Sequence, residues 1–237
     1  RLGRPIKWIE DRRENLSASL HAKHQIVDAE LALAKDGTML GFKGHFLSDA
    51  GGYSAYPMSS AFEAKHAAFS ASGPYKIPAF QVATKAVATN KASIGTYRGV
   101  GLPIAILTME RLIDMAAHKL NIDPAELRLR NMIRNEEHPY TTITGTEIES
   151  GSHQEALQKA LAMLDYQDFR AQQEHARKAG RYIGVGLGSY VEGTAPGSEF
   201  MQSLGISLMG GDEGVAIRVE TNGTVTVLAG THSHGQG

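Results

Sequence analysis

Residues 96–120 read Thr96-Tyr97-Arg98-Gly99-Val100-Gly101-Leu102-Pro103-Ile104-Ala105-Ile106-Leu107-Thr108-Met109-Glu110-Arg111-Leu112-Ile113-Asp114-Met115-Ala116-Ala117-His118-Lys119-Leu120. A glycine-flanked polar turn here runs straight into the strongest helical pattern of the chain. Ala105, Met109, Leu112, Ala116 and Leu120 recur at spacings of three and four, which predicts a helix over residues 103–120 with one continuous apolar stripe. Pro103 falls in its first turn, where an N–H would lack an intrahelical partner in any case. In the turn, glycines without a Cβ let main-chain N–H groups approach a ligand, and Arg98 offers a long cationic donor.

Upstream, residues 25–34 alternate apolar and polar side chains, Asp36-Gly37 supplies a hairpin turn, and residues 39–47 pair back antiparallel. Asp49-Ala50-Gly51-Gly52-Tyr53 is expected to end that strand. Residues 57–69 read as loop with a short helix, Gly73-Pro74-Tyr75-Lys76-Ile77-Pro78 as neither element, and residues 80–89 as a further strand. Downstream, Asp123-Pro124-Ala125-Glu126 opens a second helix with an acceptor cap and a glutamate able to reach back. Ser152-His153-Gln154-Glu155 opens a third as a capping box, with Ala156, Leu157, Ala160, Leu161 and Leu164 on one face. Residues 168–181 continue helical on the surface, and residues 183–191 read as extended.

The last hairpin alternates Val215, Ile217 and Val219, turns at Asn222-Gly223, and returns through Val225 and Val227. It leads into a second glycine-flanked polar run, Gly230-Thr231-His232-Ser233-His234-Gly235-Gln236-Gly237, just past a strand end where ligand-binding loops sit. The fold class that follows is α/β, of mixed α+β kind, with antiparallel hairpins at both ends and three helices between.

The 237 residues carry Lys+Arg 24 against Asp+Glu 25, a net charge of -1, and 42% hydrophobic residues. That composition supports a folded core and gives no electrostatic reason to expect nucleic acid or an anionic membrane surface. With no cysteine, disulfides, thiolate metal sites and a cysteine nucleophile are excluded within the chain. No apolar run approaches the ~20 residues needed to span a bilayer. A soluble protein is expected, cytoplasmic, with a periplasmic location left open. The absence of a first Met and the final glycine-rich turn suggest a piece of a longer protein.

Four blocks then stand out in order: Arg4-Pro5-Ile6-Lys7-Trp8-Ile9-Glu10-Asp11-Arg12-Arg13-Glu14; Gly73-Pro74-Tyr75-Lys76-Ile77-Pro78; Thr96-Tyr97-Arg98-Gly99-Val100-Gly101 with Met109-Glu110-Arg111; and Gly230-Thr231 with Gly235-Gln236-Gly237. Asp123-Pro124-Ala125-Glu126-Leu127-Arg128 fits between the last two. Together they resemble the molybdenum-binding large subunit of the xanthine dehydrogenase and aldehyde oxidase family, in its aldehyde-oxidase-like or carbon-monoxide-dehydrogenase-like branch.

The resemblance implies an internal fragment spanning parts of two molybdopterin-binding domains, residues 1–145 and 146–237. It implies a molybdenum ion on the dithiolene of a pterin, in bacteria often the cytosine dinucleotide form. Iron–sulfur and FAD groups would lie on partner subunits or domains of an oligomeric oxidoreductase. Arg98, Gly99, Gly235, Gln236 and Gly237 become cofactor-binding residues, and Val100 and Tyr190 substrate-pocket residues. The family's catalytic carboxylate would lie beyond Gly237 and its first cofactor loop before Arg1, so no catalytic residue and no protein metal ligand are assigned, and the segment alone is expected to be inactive.

Departures from the family pattern bear on substrate. Val100 stands where purine-oxidising members carry an aromatic residue, and His66 aligns with their second arginine, so purine oxidation is not expected. The copper-dependent carbon monoxide enzymes need a cysteine near Arg98, and none is present. An aldehyde or N-heteroaromatic substrate, hydroxylated with water-derived oxygen, remains. Two rival readings stand beside this one: a metal-dependent hydrolase built on the His232/His234 pair, and a non-catalytic scaffold segment. The bland reading of His66 is a loop histidine without a ligand role, and of the charged run after Trp8 a solvated edge.

Overall fold

The computed structural model describes residues 3–55, 58–193, 197, 198, 202 and 214–231. The chain divides into two compact units, Arg1–Val191 and Glu192–Gly237. The architecture is the expected mixture of helices and sheets. Among the described residues no helix is long and apolar enough to cross a membrane.

In the first unit, α1 (Arg12–Ala18) forms where the sequence suggested only a solvated edge. Asp11 accepts the N–H of Glu14 at 2.8 Å, and Glu14 accepts that of Asp11 at 3.0 Å, a reciprocal cap. The predicted hairpin follows as β1 (Gln25–Leu33) antiparallel to β2 (Met39–Gly51), from Gln25↔Ser48 to Leu33↔Met39. β2 runs past residue 47 and ends at Gly51, within the expected stretch; a Cβ there would lie 2.2 Å from the Ala92 carbonyl oxygen, so the residue is small because residues 91–93 cross against it.

The third strand, β3 (Phe80–Ala88), pairs with β2 in parallel, Phe42 opposite Phe80. Parallel neighbours need a crossover, and it is supplied by α2 (Ser60–Phe69), packed against both strands. Phe42 and Phe46 project from β2 into a core that also takes Ala67 and Ala68 of α2 and Tyr75. The Phe42 and Phe80 rings stack at 5.0 Å across the strand pair.

The long helix α3 (Leu102–Leu120) closes this core. Ala105 and Met109 are buried as the stripe predicts, but the fully buried positions further on are Ile113 and Ala117, and Leu112 and Ala116 are only half-buried. The helix is apolar on more than one face, so its pattern alone does not decide which face turns inward. α4 (Pro124–Asn131) starts at the predicted Asp123 cap, which accepts from Ala125 N at 2.8 Å; Glu126 bonds Arg130 rather than reaching back. Asn131 ties α4 to the first hairpin, accepting from Met39 N at 2.8 Å and donating to Gly37 O at 2.9 Å.

Residues 140–148 form a two-residue ladder, β4 (Tyr140–Thr141) with β5 (Glu147–Ile148). α5 (His153–Leu164) lacks its predicted capping box, because Ser152 makes no side-chain cap bond and Glu155 accepts from Asn135 Nδ2 at 2.7 Å instead. Of its expected apolar face, Leu157 is buried and Leu161 half-buried, whereas Ala156, Ala160 and Leu164 are exposed. α6 (Tyr166–Lys178) ends before Gly180. The Tyr166 hydroxyl, pushed up to about 12 by burial and the Asp123 carboxylate, donates to Asp123 Oδ2 at 3.1 Å. Residues 183–191, read as extended, join no sheet among the described residues. The second unit shows the predicted hairpin, β6 (Val215–Val219) antiparallel to β7 (Val225–Ala229), with Val219 opposite Val225.

One carboxylate gathers the strand ends. Asp49 accepts from Lys91 Nζ at 2.7 Å, Thr89 Oγ1 at 2.5 Å, Gly51 N at 2.9 Å and His24 Nδ1 at 2.9 Å. The lysine, the hydroxyl and the main-chain amide hold its carboxyl well below the usual carboxylate range. Glu137, hydrogen-bonded by the side chain and N–H of Arg134 and by Lys76, is brought down to about 2. Both depressions stabilise the folded state above the ordinary carboxyl range near pH ~4, and the gain fades as pH falls toward the folded values. Asp49→Asn is therefore expected to flatten the acid limb of thermal midpoint against pH, its gap to the parent narrowing progressively as pH falls below about 4 toward the depressed folded value, whereas a gap that stays constant from about pH 7 down through the acid range would contradict it.

Candidate functional site

The turn over residues 97–101 is held by two main-chain bonds, Val100 N to Tyr97 O and Leu102 N to Gly99 O, each 2.8 Å. Gly99, Val100 and Gly101 have φ values of 84°, 35° and 84°, so three consecutive residues occupy left-handed or adjacent backbone. Gly101 is the N-cap of α3. It has no room for a side chain: a Cβ would sit 2.4 Å from the Glu63 carbonyl oxygen and 2.8 Å from Ala67 N, both on α2. Ala64, Ala67 and Ala68, all buried, allow that approach.

Donors from two other segments grip the turn's carbonyls. His66 Nδ1 lies 2.5 Å from Val100 O; a carbonyl only accepts, so Nδ1 carries the proton. Lys23 Nζ donates to Arg98 O and sits 5.6 Å from the Tyr97 ring centroid. Lys23 N in turn donates to Glu63 Oε2 at 3.3 Å. Among the described residues, Glu63 Oε1 and Ser60 Oγ are buried without a hydrogen-bond partner. No described acceptor takes the N–H of Gly99 or Gly101.

The arrangement suits an anion. Arg98 is exposed at the start of the turn, Lys23 lies against it, and the N-terminal end of a 19-residue helix adds its partial positive charge. Unclaimed main-chain N–H groups beside a guanidinium suit an anionic, oxygen- and nitrogen-rich cofactor.

Arg98, Gly99 and Val100 thus come together in one turn. Tyr190 lies in the unpaired run after α6, 60% exposed. Gly235, Gln236 and Gly237, and the His232/His234 pair, lie outside the described residues, among which no group of three or more His, Cys, Asp or Glu side chains could hold a metal ion. His66 is not a loop residue but a helical brace, and Lys23 and Glu63 went unread. The three share no local motif with Arg98; only the i, i+3 spacing of Glu63 and His66 on a helix could have linked the latter two.

A glycine turn at a helix N-terminus, following a β–α–β unit and flanked by the cationic side chains of Arg98 and Lys23, is a setting that favours an anionic group. Residues 1–132 match the family model of the molybdopterin cofactor-binding domain, and residues 159–237 match a second model of the same description. The chain belongs to this molybdopterin cofactor-binding family. It is 38% identical over 234 residues to the nicotine 6-hydroxylase large subunit of Paenarthrobacter nicotinovorans, covering 98% of this chain and 28% of that protein. It is also 38% identical to the carbon monoxide dehydrogenase large chain of Hydrogenophaga pseudoflava, covering 100% and 30%. The structure of quinoline 2-oxidoreductase from Pseudomonas putida 86 superposes with a TM-score of 0.89 at 35% identity, over 100% of this chain and 30% of that one. The chain therefore spans under a third of the length of these relatives.

Proposed function

We propose that this chain is the part of a molybdenum hydroxylase large subunit that contributes the Arg98 turn to the cofactor site, in an oxidoreductase acting on an N-heteroaromatic or aldehyde substrate. The carrying observation is the turn itself, with unclaimed N–H groups at Gly99 and Gly101 beside an exposed arginine. Gln236, with Gly235 and Gly237, is assigned to the same cofactor from the second domain. The gap between the two matched segments, residues 133–158, supports a division near residue 145. When bound, the pterin-held molybdenum would supply the two-electron redox chemistry by which a substrate carbon gains oxygen derived from water. This chain's residues bind and orient: Arg98 donates to polar oxygens, the glycines bring main-chain amides close, and Val100 and Tyr190 line the substrate side.

The nicotine hydroxylase and quinoline oxidoreductase relatives support the N-heteroaromatic choice. The absence of cysteine sets the chain apart from the copper-containing carbon monoxide enzymes it also resembles. Iron–sulfur and flavin partners would carry the electrons away. The full-length subunit, purified with its partners, is expected to contain molybdenum and pterin. Arg98→Ala should lower turnover about 10- to 100-fold, the loss of a charge-assisted hydrogen bond. Active protein without molybdenum, or an unchanged Arg98→Ala variant, would overturn the assignment; protein that holds partner subunits but never turns over would favour a scaffold.

A further inference from the structure

We infer that Lys23 is a positioning residue for the cofactor turn, aiming the Gly99 N–H; this rests on the assignment of that turn to the cofactor. The argument begins with peptide geometry. In a trans peptide the carbonyl and the next residue's N–H point in opposite directions across one plane. The Arg98 carbonyl and the Gly99 N–H share such a plane, as do the Val100 carbonyl and the Gly101 N–H. Whatever holds the first member of each pair therefore aims the second.

Lys23 Nζ holds the Arg98 carbonyl, and His66 Nδ1 holds the Val100 carbonyl. For both carbonyls, no described residue accepts the partner N–H, that of Gly99 or of Gly101. The turn's remaining carbonyls are spent: those of Tyr97 and Gly99 on Val100 N and Leu102 N, and that of Gly101 on Ile104 N and Ala105 N in the first turn of α3. Side chains 75 and 34 residues away in sequence have thus taken the two carbonyls that the turn itself leaves over.

Lys23 is itself held in an unusual way. Its φ of 63° is one that non-glycine residues adopt at a cost, and its main-chain N–H is engaged by the buried Glu63 carboxylate. Its ammonium also lies over the Tyr97 ring. A strained backbone, a buried anchor and an aromatic face together deliver one ammonium to one carbonyl. A lysine serving only as a solvated surface charge would need none of these.

The strain offers a clean test, because glycine adopts φ near 63° without penalty. In the full-length enzyme, Lys23→Gly removes the ammonium while relieving the backbone, so the thermal midpoint should stay near that of the parent. Pterin retention, read as the rate at which pterin is lost on dialysis and quantified by fluorescence after oxidative release, should worsen about tenfold or more. Lys23→Arg, which can still donate to the Arg98 carbonyl, should restore most of it. Parent-like retention in Lys23→Gly would overturn the inference. Arg98→Ala, run alongside, separates the two claims: if it loses pterin while Lys23→Gly does not, only the positioning role fails, and if neither loses pterin, the assignment of the turn fails as well.

Discussion

Arg128→Met is expected to destabilise the protein by about 3–5 kcal/mol, the usual consequence of removing one partner from a buried ion pair. The Arg128 side chain is fully buried. Its Nε donates to Glu110 Oε2 at 2.8 Å, its Nη2 to Asp114 Oδ1 at 2.9 Å and Leu187 O at 3.1 Å, and its Nη1 to Pro124 O at 3.0 Å. Glu110, nearly buried on α3, also accepts from the Tyr75 hydroxyl at 2.6 Å. Burial and the neighbouring Glu110 raise that hydroxyl far above its ordinary value, so it remains a donor through the alkaline range. Without Arg128, Tyr75 would be left as the main partner of a buried carboxylate. For a chain of this length the loss corresponds to a fall of about 10 °C in thermal midpoint. The double variant Glu110→Gln/Arg128→Met should recover part of it, because a neutral amide is cheaper to bury than an unpaired charge. A fall below about 2 °C in the single variant would mean that the pair contributes no more than a surface bridge.

The same cluster holds residues 183–191, read as extended, outside any described sheet. The run is fastened through the Leu187 carbonyl, which accepts from Arg128 Nη2 at 3.1 Å. Side-chain anchorage of this kind leaves no periodic signature. What was legible were local signals: the Asp36-Gly37 and Asn222-Gly223 hairpins, the Asp123 cap and the apolar repeat of α3, each written within a few neighbouring residues. What was hidden depends on distant partners. The parallel pairing of β2 with β3 joins strands separated by residues 52–79, and the inward face of α3 is chosen by the sheet and by α2. The site divides in the same way. A glycine turn before a helix is visible at Arg98 and Gly99, whereas Lys23 and His66 reach it only after the chain has folded. The Ser152-His153-Gln154-Glu155 box failed because Asn135 competes for the glutamate from another segment.

Gly101→Ala should be the most damaging single methyl in the turn. Two separable effects combine there. A φ of 84° is strained for alanine, costing about 1–2 kcal/mol. The new Cβ would also lie 2.4 Å from the Glu63 carbonyl oxygen, 2.8 Å from Ala67 N and 3.3 Å from Ala67 Cα. These are main-chain atoms of α2 and cannot swing aside as a side-chain tip would, so α2 and α3 must move apart, adding about 1–3 kcal/mol of overpacking. Because His66 on α2 grips Val100 and Glu63 anchors Lys23, separating the helices should also slacken both carbonyl holds and release pterin. Gly145→Ala isolates the first effect, since Gly145 has a φ of 85° with nothing within 4 Å of its virtual Cβ. Gly101→Ala is therefore expected to lower the thermal midpoint by several degrees more than Gly145→Ala, and to lose pterin where Gly145→Ala retains it. Equal shifts in the two variants would mean that backbone strain alone, and not the close passage of α2, keeps glycine at position 101.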